Sequence, residues 1–185
     1  MRTSRIYVAE GIILKRRSVG EADRMITIFT KQYGKIRVLA KGVRRIKSRR
    51  AGHLEVFSHV ICTIHNGRLC DMLSEANSVR NGALFDTDAV RLEYAYSVCE
   101  LVDRLLADRQ EHVDIFFLLR DTLNKLLSSD NQVEYRKILL DFVHTSLWNL
   151  GFLPKQHILP DYRLKAYVEG ITENRLRAWP LPEYM

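Results

Sequence analysis

Proline and glycine are scarce here, four and nine in 185 residues, and cysteine occurs three times. That excludes collagen-like and low-complexity chains. With 46% apolar and 28% charged residues, disorder is excluded as well. Cys62, Cys70 and Cys99 offer no CxxC spacing. So few thiols suit buried positions in a reducing cytosol, with Cys62 expected in a strand core and Cys99 on a helix stripe. No apolar run approaches the roughly 20 residues of a membrane span. The start, Met1-Arg2-Thr3-Ser4-Arg5, leads directly into a strand-like pattern without the layout of a signal peptide, so a soluble intracellular protein is expected. Also missing are GxSxG, a P-loop and HExxH. No catalytic constellation replaces them.

What is present is charge, unevenly placed. Residues 1–82 carry 17 Lys/Arg against 6 Asp/Glu, net +11, whereas residues 83–185 carry 12 against 16, net −4. Between Lys15 and Arg50 lie 13 basic residues, with Glu21 and Asp23 as the only acids. Such density repels itself, and solubility does not need it gathered in one half. A polyanionic partner explains it.

The hydrophobic period changes near the same boundary. Ile6 to Leu14, Arg24 to Thr30 and Lys35 to Lys41 alternate as strands, with Ile36, Val38 and Ala40 inward and Arg37 and Lys41 outward. Tyr33-Gly34 reads as a turn and Gly42 to Gly52 as a basic loop. Leu54 to His65 reads as one long strand, Asn66-Gly67 as a hairpin turn, and Leu69 to Glu75 as the fifth strand. Five short strands with glycines at bends describe a small closed barrel, most often an OB-fold. From Leu92 the period is helical: Leu92, Ala95, Cys99, Val102 and Leu106 form one stripe, Val113 to Leu126 a second, Tyr135 to Leu150 a third. Thr87 or Asp88 serves as the first N-cap, the third helix ends at Gly151, and a short helix is expected around residues 172–178. The expected fold is α+β: an OB barrel over residues 1–82, then a helical bundle with a short tail over 83–185.

Each candidate for chemistry has a plainer reading beside it. His59, His65 and Asp71 are metal-ligand types, but they also fit a strand and a hairpin rim. Glu21 and Asp23 resemble a nuclease carboxylate pair, or neutralise Arg24 and a neighbour. Tyr33 and Phe57 offer a base-stacking face or belong to the barrel core. The aromatics Phe116, Phe117, Tyr135, Phe142, Trp148 and Phe152 sit at helical spacing and read as core. Outward Arg37 and Lys41, followed by Arg44, Arg45, Lys47, Arg49 and Arg50, predict a positive groove for phosphates without sequence preference.

The run Glu10-Gly11-Ile12-Ile13-Leu14-Lys15-Arg16-Arg17-Ser18-Val19-Gly20-Glu21-Ala22-Asp23-Arg24 is more specific than composition. Together with Phe29-Thr30, Tyr33-Gly34-Lys35-Ile36-Arg37, Ala40-Lys41-Gly42, Arg44-Arg45 and Phe57-Ser58, it resembles the N-terminal domain of the RecO family of bacterial DNA repair proteins. Leu147-Trp148-Asn149-Leu150-Gly151-Phe152-Leu153-Pro154 is similar to the end of that family's helical region. The resemblance implies a recombination mediator without catalytic turnover, acting in the bacterial cytoplasm at the nucleoid. Such a protein binds single- and double-stranded DNA and anneals complementary strands. It contacts the acidic C-terminal tail of single-stranded DNA-binding protein and, with RecR, helps load RecA. DNA contact would fall on Lys15, Arg16, Arg24, Lys35, Arg37, Lys41, Arg44, Arg45, Lys47 and Arg49.

Many relatives carry a four-cysteine zinc module after the Gly-Phe-Leu-Pro segment. Here that place reads Lys155-Gln156-His157-Ile158, so neither zinc nor another cofactor is expected. For the acidic tail, Arg136 and Lys137 beside Phe142 are the expected site, between the second and third helices, with Arg120 and Lys125 nearby. An RNA- or ribosome-binding OB protein, or a nuclease using Glu21 and Asp23, remain the alternative classes.

Overall fold

A computed structural model of the chain describes residues 6–45 and 51–181. It divides into two compact units: residues up to Leu84 together with Ala107–Val113, and Phe85–Leu106 together with Asp114 onward. The first unit is a closed barrel of β1 (Ile6–Val19), β2 (Asp23–Thr30), β3 (Gly34–Ala40), β4 (His59–His65) and β5 (Asp71–Arg80). Neighbours run β1-β2-β3-β5-β4, the five-stranded closed barrel expected. β1 is long enough to serve two partners. Its first half, Ile6 to Ile12, pairs with β4, and Gly11 to Val19 pairs with β2. An extra residue between Ile13 and Lys15 makes a bulge, so that Ile12, Ile13 and Leu14 are all buried. The closing ladder is the weakest: β3 and β5 run parallel through only Val38↔Asp71 and Leu39↔Met72.

Register decides what faces inward. Ile28↔Ile36 and Ile26↔Val38 stack within the barrel beside Val60, Cys62 and Ile64. Cys62 is buried core, and loss of hydration pushes its thiol up to about 12, so it stays a small neutral hydrophobe. Two strand expectations need correction. β4 begins at His59, not Leu54, because Phe57 adopts φ 69° and ties the incoming chain to β1: its N–H donates to Ile13 O at 2.8 Å, while Ser58 O accepts from Ile13 N–H. Phe57 is thereby core, 2% exposed. Asn66-Gly67 does not form a two-residue hairpin. The chain loops from His65 to Asp71, and β5 continues to Arg80.

The second unit holds α1 (Ala89–Leu105), α2 (Val113–Ser128), α3 (Gln132–Asn149) and α4 (Asp161–Thr172). Asp88 is the N-cap of α1, accepting from the N–H groups of Val90 and Arg91, and Asn131 caps α3. The three stripes are buried in most of their members, Cys99, Leu119, Leu123, Leu139 and Phe142 among them. Trp148 is only half-buried and Phe152 exposed, so the aromatic set is not all core. The last helix spans Asp161–Thr172 and not 172–178: Pro160 stands at its start, and Glu173 ends it at φ 52°. Among the described residues no helix is long and apolar enough to cross a membrane.

Candidate nucleic-acid interface

The expected DNA-contacting residues separate into groups, and strand register explains the separation. Register aligns Lys15, Thr27 and Arg37 in one row across β1, β2 and β3, and Arg17, Met25 and Leu39 in the next. These rows lie on the outer face, where Lys15, Arg17 and Arg37 are exposed. Arg17 was not among the expected contacts, although it stands two residues along the strand from Lys15. Lys41, Arg44 and Arg45 follow in the exposed turn beyond β3. That turn is fixed by backbone geometry: Gly42 N–H donates to Asp23 Oδ1 at 2.7 Å, and Arg44 N–H to Ala22 O at 2.9 Å. Asp23 is thus a turn anchor. Arg44 also donates from its guanidinium to Gly20 O. Lys47 and Arg49 lie outside the described residues.

Arg16 and Arg24 belong to the opposite row. Arg16 is in register with the core residue Ile26, and Arg24 with the core residue Ala40. Both therefore sit half-buried at the barrel's rim, and Arg16 is ion-paired with Glu55. Desolvation first, then the positive charge of Arg16, lowers the Arg24 pKa.

Lys35 departs from expectation. Its place on β3 puts it on the same face as Arg37, yet it is only 5% exposed. The cause is remote in sequence. The segment Ala107–Val113 belongs to the barrel unit and lies along the start of β3, with Arg109 N–H donating to Lys35 O at 2.8 Å and Asp108 bridging Lys35 in parallel. Asp108 then meets two cations, Lys35 Nζ at 3.5 Å and Arg37 at 3.2 Å. Arg109 reaches Asp71 at 2.8 Å, and Asp71, 2% exposed, also accepts from the Tyr7 hydroxyl at 2.7 Å. Burial, then that hydrogen bond, holds the Tyr7 hydroxyl far above its ordinary pKa. Around this network lies a depression of 310 Å³, lined among others by Arg17, Arg37, Leu69, Asp108 and Arg109. No strand-by-strand reading of the first half reveals it, since residues 107–113 supply one wall.

The metal-ligand types do not converge. His59 faces Glu10 at 2.9 Å, Asp71 serves Tyr7 and Arg109, and His65 is exposed at the strand end. Among the described residues no three His, Cys, Asp or Glu side chains are grouped to hold an ion. Tyr33 is 41% exposed with its ring 4.7 Å from that of Tyr7, which leaves it a surface aromatic.

In the helical unit a second depression, 460 Å³, lies between α2 and α3; Leu118, Lys125, Phe142, Trp148 and Ile158 are among its lining, with the carboxylates Asp141 and Asp161. Of the three residues expected at a partner site there, Phe142 lines the depression although almost wholly buried. Lys137 is exposed, and Arg136 is ion-paired with Asp161 at 2.6 Å. Lys125 rather than Arg136 stands as the cation of this depression.

Comparison with known proteins gives a consistent answer. The family described as "Recombination protein O N terminal" matches residues 1–81, and "Recombination protein O C terminal" matches residues 86–157. Three similar proteins are each named "DNA repair protein RecO". That of Symbiobacterium thermophilum is 34% identical over 80% of this chain and 58% of its own length. That of Roseiflexus sp. (strain RS-1) is 38% identical over 66% and 43%. That of Bifidobacterium longum subsp. infantis is 41% identical over 65% and 52%. The chain spans about half the length of the curated relatives it matches. Since the two family matches fall in the order of barrel and helices and together take in most of the chain, it belongs to the RecO family.

Proposed function

We propose that the barrel unit binds DNA through its phosphates, without reading sequence, and that the chain acts as an annealing and loading factor in recombinational repair, without catalytic turnover. One observation carries the reading. Lys15, Arg17 and Arg37 are aligned by register on one outer face, and Lys41, Arg44 and Arg45 extend it. Cations at strand spacing along a backbone track suit a polyanion, and each neutralised phosphate releases counterions. Tyr33 supplies an exposed ring for stacking. Arg16 and Arg24 contribute at the rim, and Lys47 and Arg49 extend the same run in sequence.

The partners proposed are those of the family: single-stranded DNA-binding protein through its acidic tail, RecR, and through them RecA. The depression between α2 and α3 suits a tail with an apolar end, since Phe142, Trp148 and Leu118 give a greasy floor and Lys125 a cation. Arg136 and Lys137 remain part of the proposal at its edge.

The test is annealing of complementary oligonucleotides, with and without single-stranded DNA-binding protein, beside direct binding across a salt series. With about six phosphates neutralised, the slope of log affinity against log salt is expected near −4 on single strands. Salt-independent binding, preference for RNA of equal length, or metal-dependent cleavage of the oligonucleotide would each overturn the reading.

A further inference from the structure

On β3, two cations two residues apart, Lys35 and Arg37, share a carboxylate that comes from another part of the chain. We infer that Lys35, Arg37 and Arg17 form a phosphate subsite whose anion is supplied internally by Asp108, so that a DNA phosphate enters by displacing that side chain. The inference rests on the proposed DNA binding and adds to it a built-in competitor.

The two acids beside the 310 Å³ depression differ in how they are held. Asp71 is committed: it is buried, and it takes the Tyr7 hydroxyl, the Arg109 guanidinium and the Gly67 N–H. Asp108 is half-exposed and touches Lys35 and Arg37 at 3.5 and 3.2 Å, ordinary ion-pair separations that solvent reaches. The backbone that carries it is anchored independently, by Arg109 N–H to Lys35 O and by Arg109 to Asp71. Rotation of one side chain therefore clears the site while the segment stays in place.

Asp108 is a counter-charge shared by Lys35 and Arg37, so a group that takes its place is favoured when it too brings negative charge. A phosphodiester brings one charge and two free oxygens, enough to meet Lys35 and the Arg37 fork together. The exchange conserves charge within the site. Beside it Leu69 stands fully exposed, an apolar contact for a sugar or base. Because the internal carboxylate opposes every incoming anion, an isolated phosphate competes poorly, whereas a strand held at neighbouring cations competes at high local concentration. Asp108 thus favours polymers over single nucleotides.

Asp108→Asn is the test, on the full chain, with a short labelled oligothymidylate. The variant should bind about fivefold tighter at low salt, and its salt slope should steepen by about 0.7, one additional phosphate on a single strand. Adding Arg37→Gln should cancel both changes. Inorganic phosphate, followed by melting temperature, probes the subsite without DNA: it should stabilise Asp108→Asn saturably and the parent chain much less. Should the single variant fail to fold, Lys35→Met with Asp108→Asn still frees Arg37 of Asp108, and a gain of about twofold is expected. Equal affinity and slope in a folded variant, while the parent binds DNA normally, would overturn the displacement alone. A parent that binds no oligothymidylate while Asp108→Asn still responds to phosphate would overturn the DNA reading and the displacement step with it.

Discussion

The barrel and helical units use the same cations differently, and local stoichiometry is the reason. In the helical unit acids are close at hand: Arg91 meets Asp88 and Asp130, Arg104 meets Glu100, Arg120 meets Asp121, and Arg136 meets Asp161. Those pairs sit at the surface with at least one partner partly open to solvent, which limits what each adds to stability. Between Lys15 and Arg50, 13 cations have two acids among them, and one of these, Asp23, is already occupied by a backbone N–H. The barrel must borrow Glu55 for Arg16 and Asp108 for Lys35 and Arg37. The net positive charge of residues 1–82 is the reason a polyanion is proposed as the partner.

The sharpest way to break this comparison is to invert the surplus. Arg44, Arg45 and Lys47 changed together to Glu should weaken single-strand binding about a thousandfold near physiological salt, since three attractive contacts become three repulsive ones. The fold should hold, because the Arg44 and Arg45 side chains are solvated. Changing Arg120 and Lys125 to Glu in the helical unit should leave DNA binding within about twofold, because those charges lie outside the cationic track. Comparable losses from both sets would end the assignment of DNA to the barrel.

Much of this division was legible in the residues, and where legibility failed the cause was long-range. Alternation at Ile36, Val38 and Ala40 gave β3 its inward face, and the helical stripe through Ala95, Cys99 and Val102 gave α1 its buried one. The same alternation placed Lys35 beside Arg37 but carried no sign that residues 107–113 would cover it. Leu54 to His65 reads as one strand because Val56, Val60, Cys62 and Ile64 recur on one side of it. The left-handed backbone of Phe57, which breaks it, is imposed by hydrogen bonding to Ile13. Arg16, Arg24 and Lys15 are equivalent by composition. The bulge in β1 decides that Arg16 faces the rim and Lys15 the open surface, whereas Arg24 follows the alternation of Ile26 and Ile28 along β2.

A second substitution probes how the barrel holds its remote segment. Gly34 has φ 62°, and a Cβ there would fall 2.1 Å from Gln110 O. Gly34→Ala therefore meets both a strained left-handed backbone and a backbone clash, and should cost about 3 kcal/mol. The loss should appear in melting of the barrel unit, accompanied by loss of the Asp108 pairing and a steeper salt slope for DNA. An equal fall in the melting of the helical unit would show that the two do not unfold as separate cooperative blocks.

The smallest effect expected belongs to the helical unit and separates it by pH. Asp88 caps α1, and its pKa is lowered first by the Arg91 N–H, then by the Tyr135 hydroxyl, with the Val90 N–H and the Arg91 charge adding to both. A carboxyl held lower in the folded chain than in the unfolded one binds its proton less readily when folded. Its contribution is complete above the ordinary carboxyl value near 3.9 and is lost as pH falls through the depressed folded value. Asn is itself a good cap but has no such proton to take up. Asp88→Asn should therefore be slightly less stable than the parent at pH 6, through weaker pairing with Arg91 and Tyr135. The difference should close as pH falls below about 4. Melting followed by helical circular dichroism from pH 6 to pH 3 measures it. A gap that stays constant with pH would mean that the carboxylate of Asp88 acts only as a hydrogen-bond acceptor, and that its charge adds nothing to the cap.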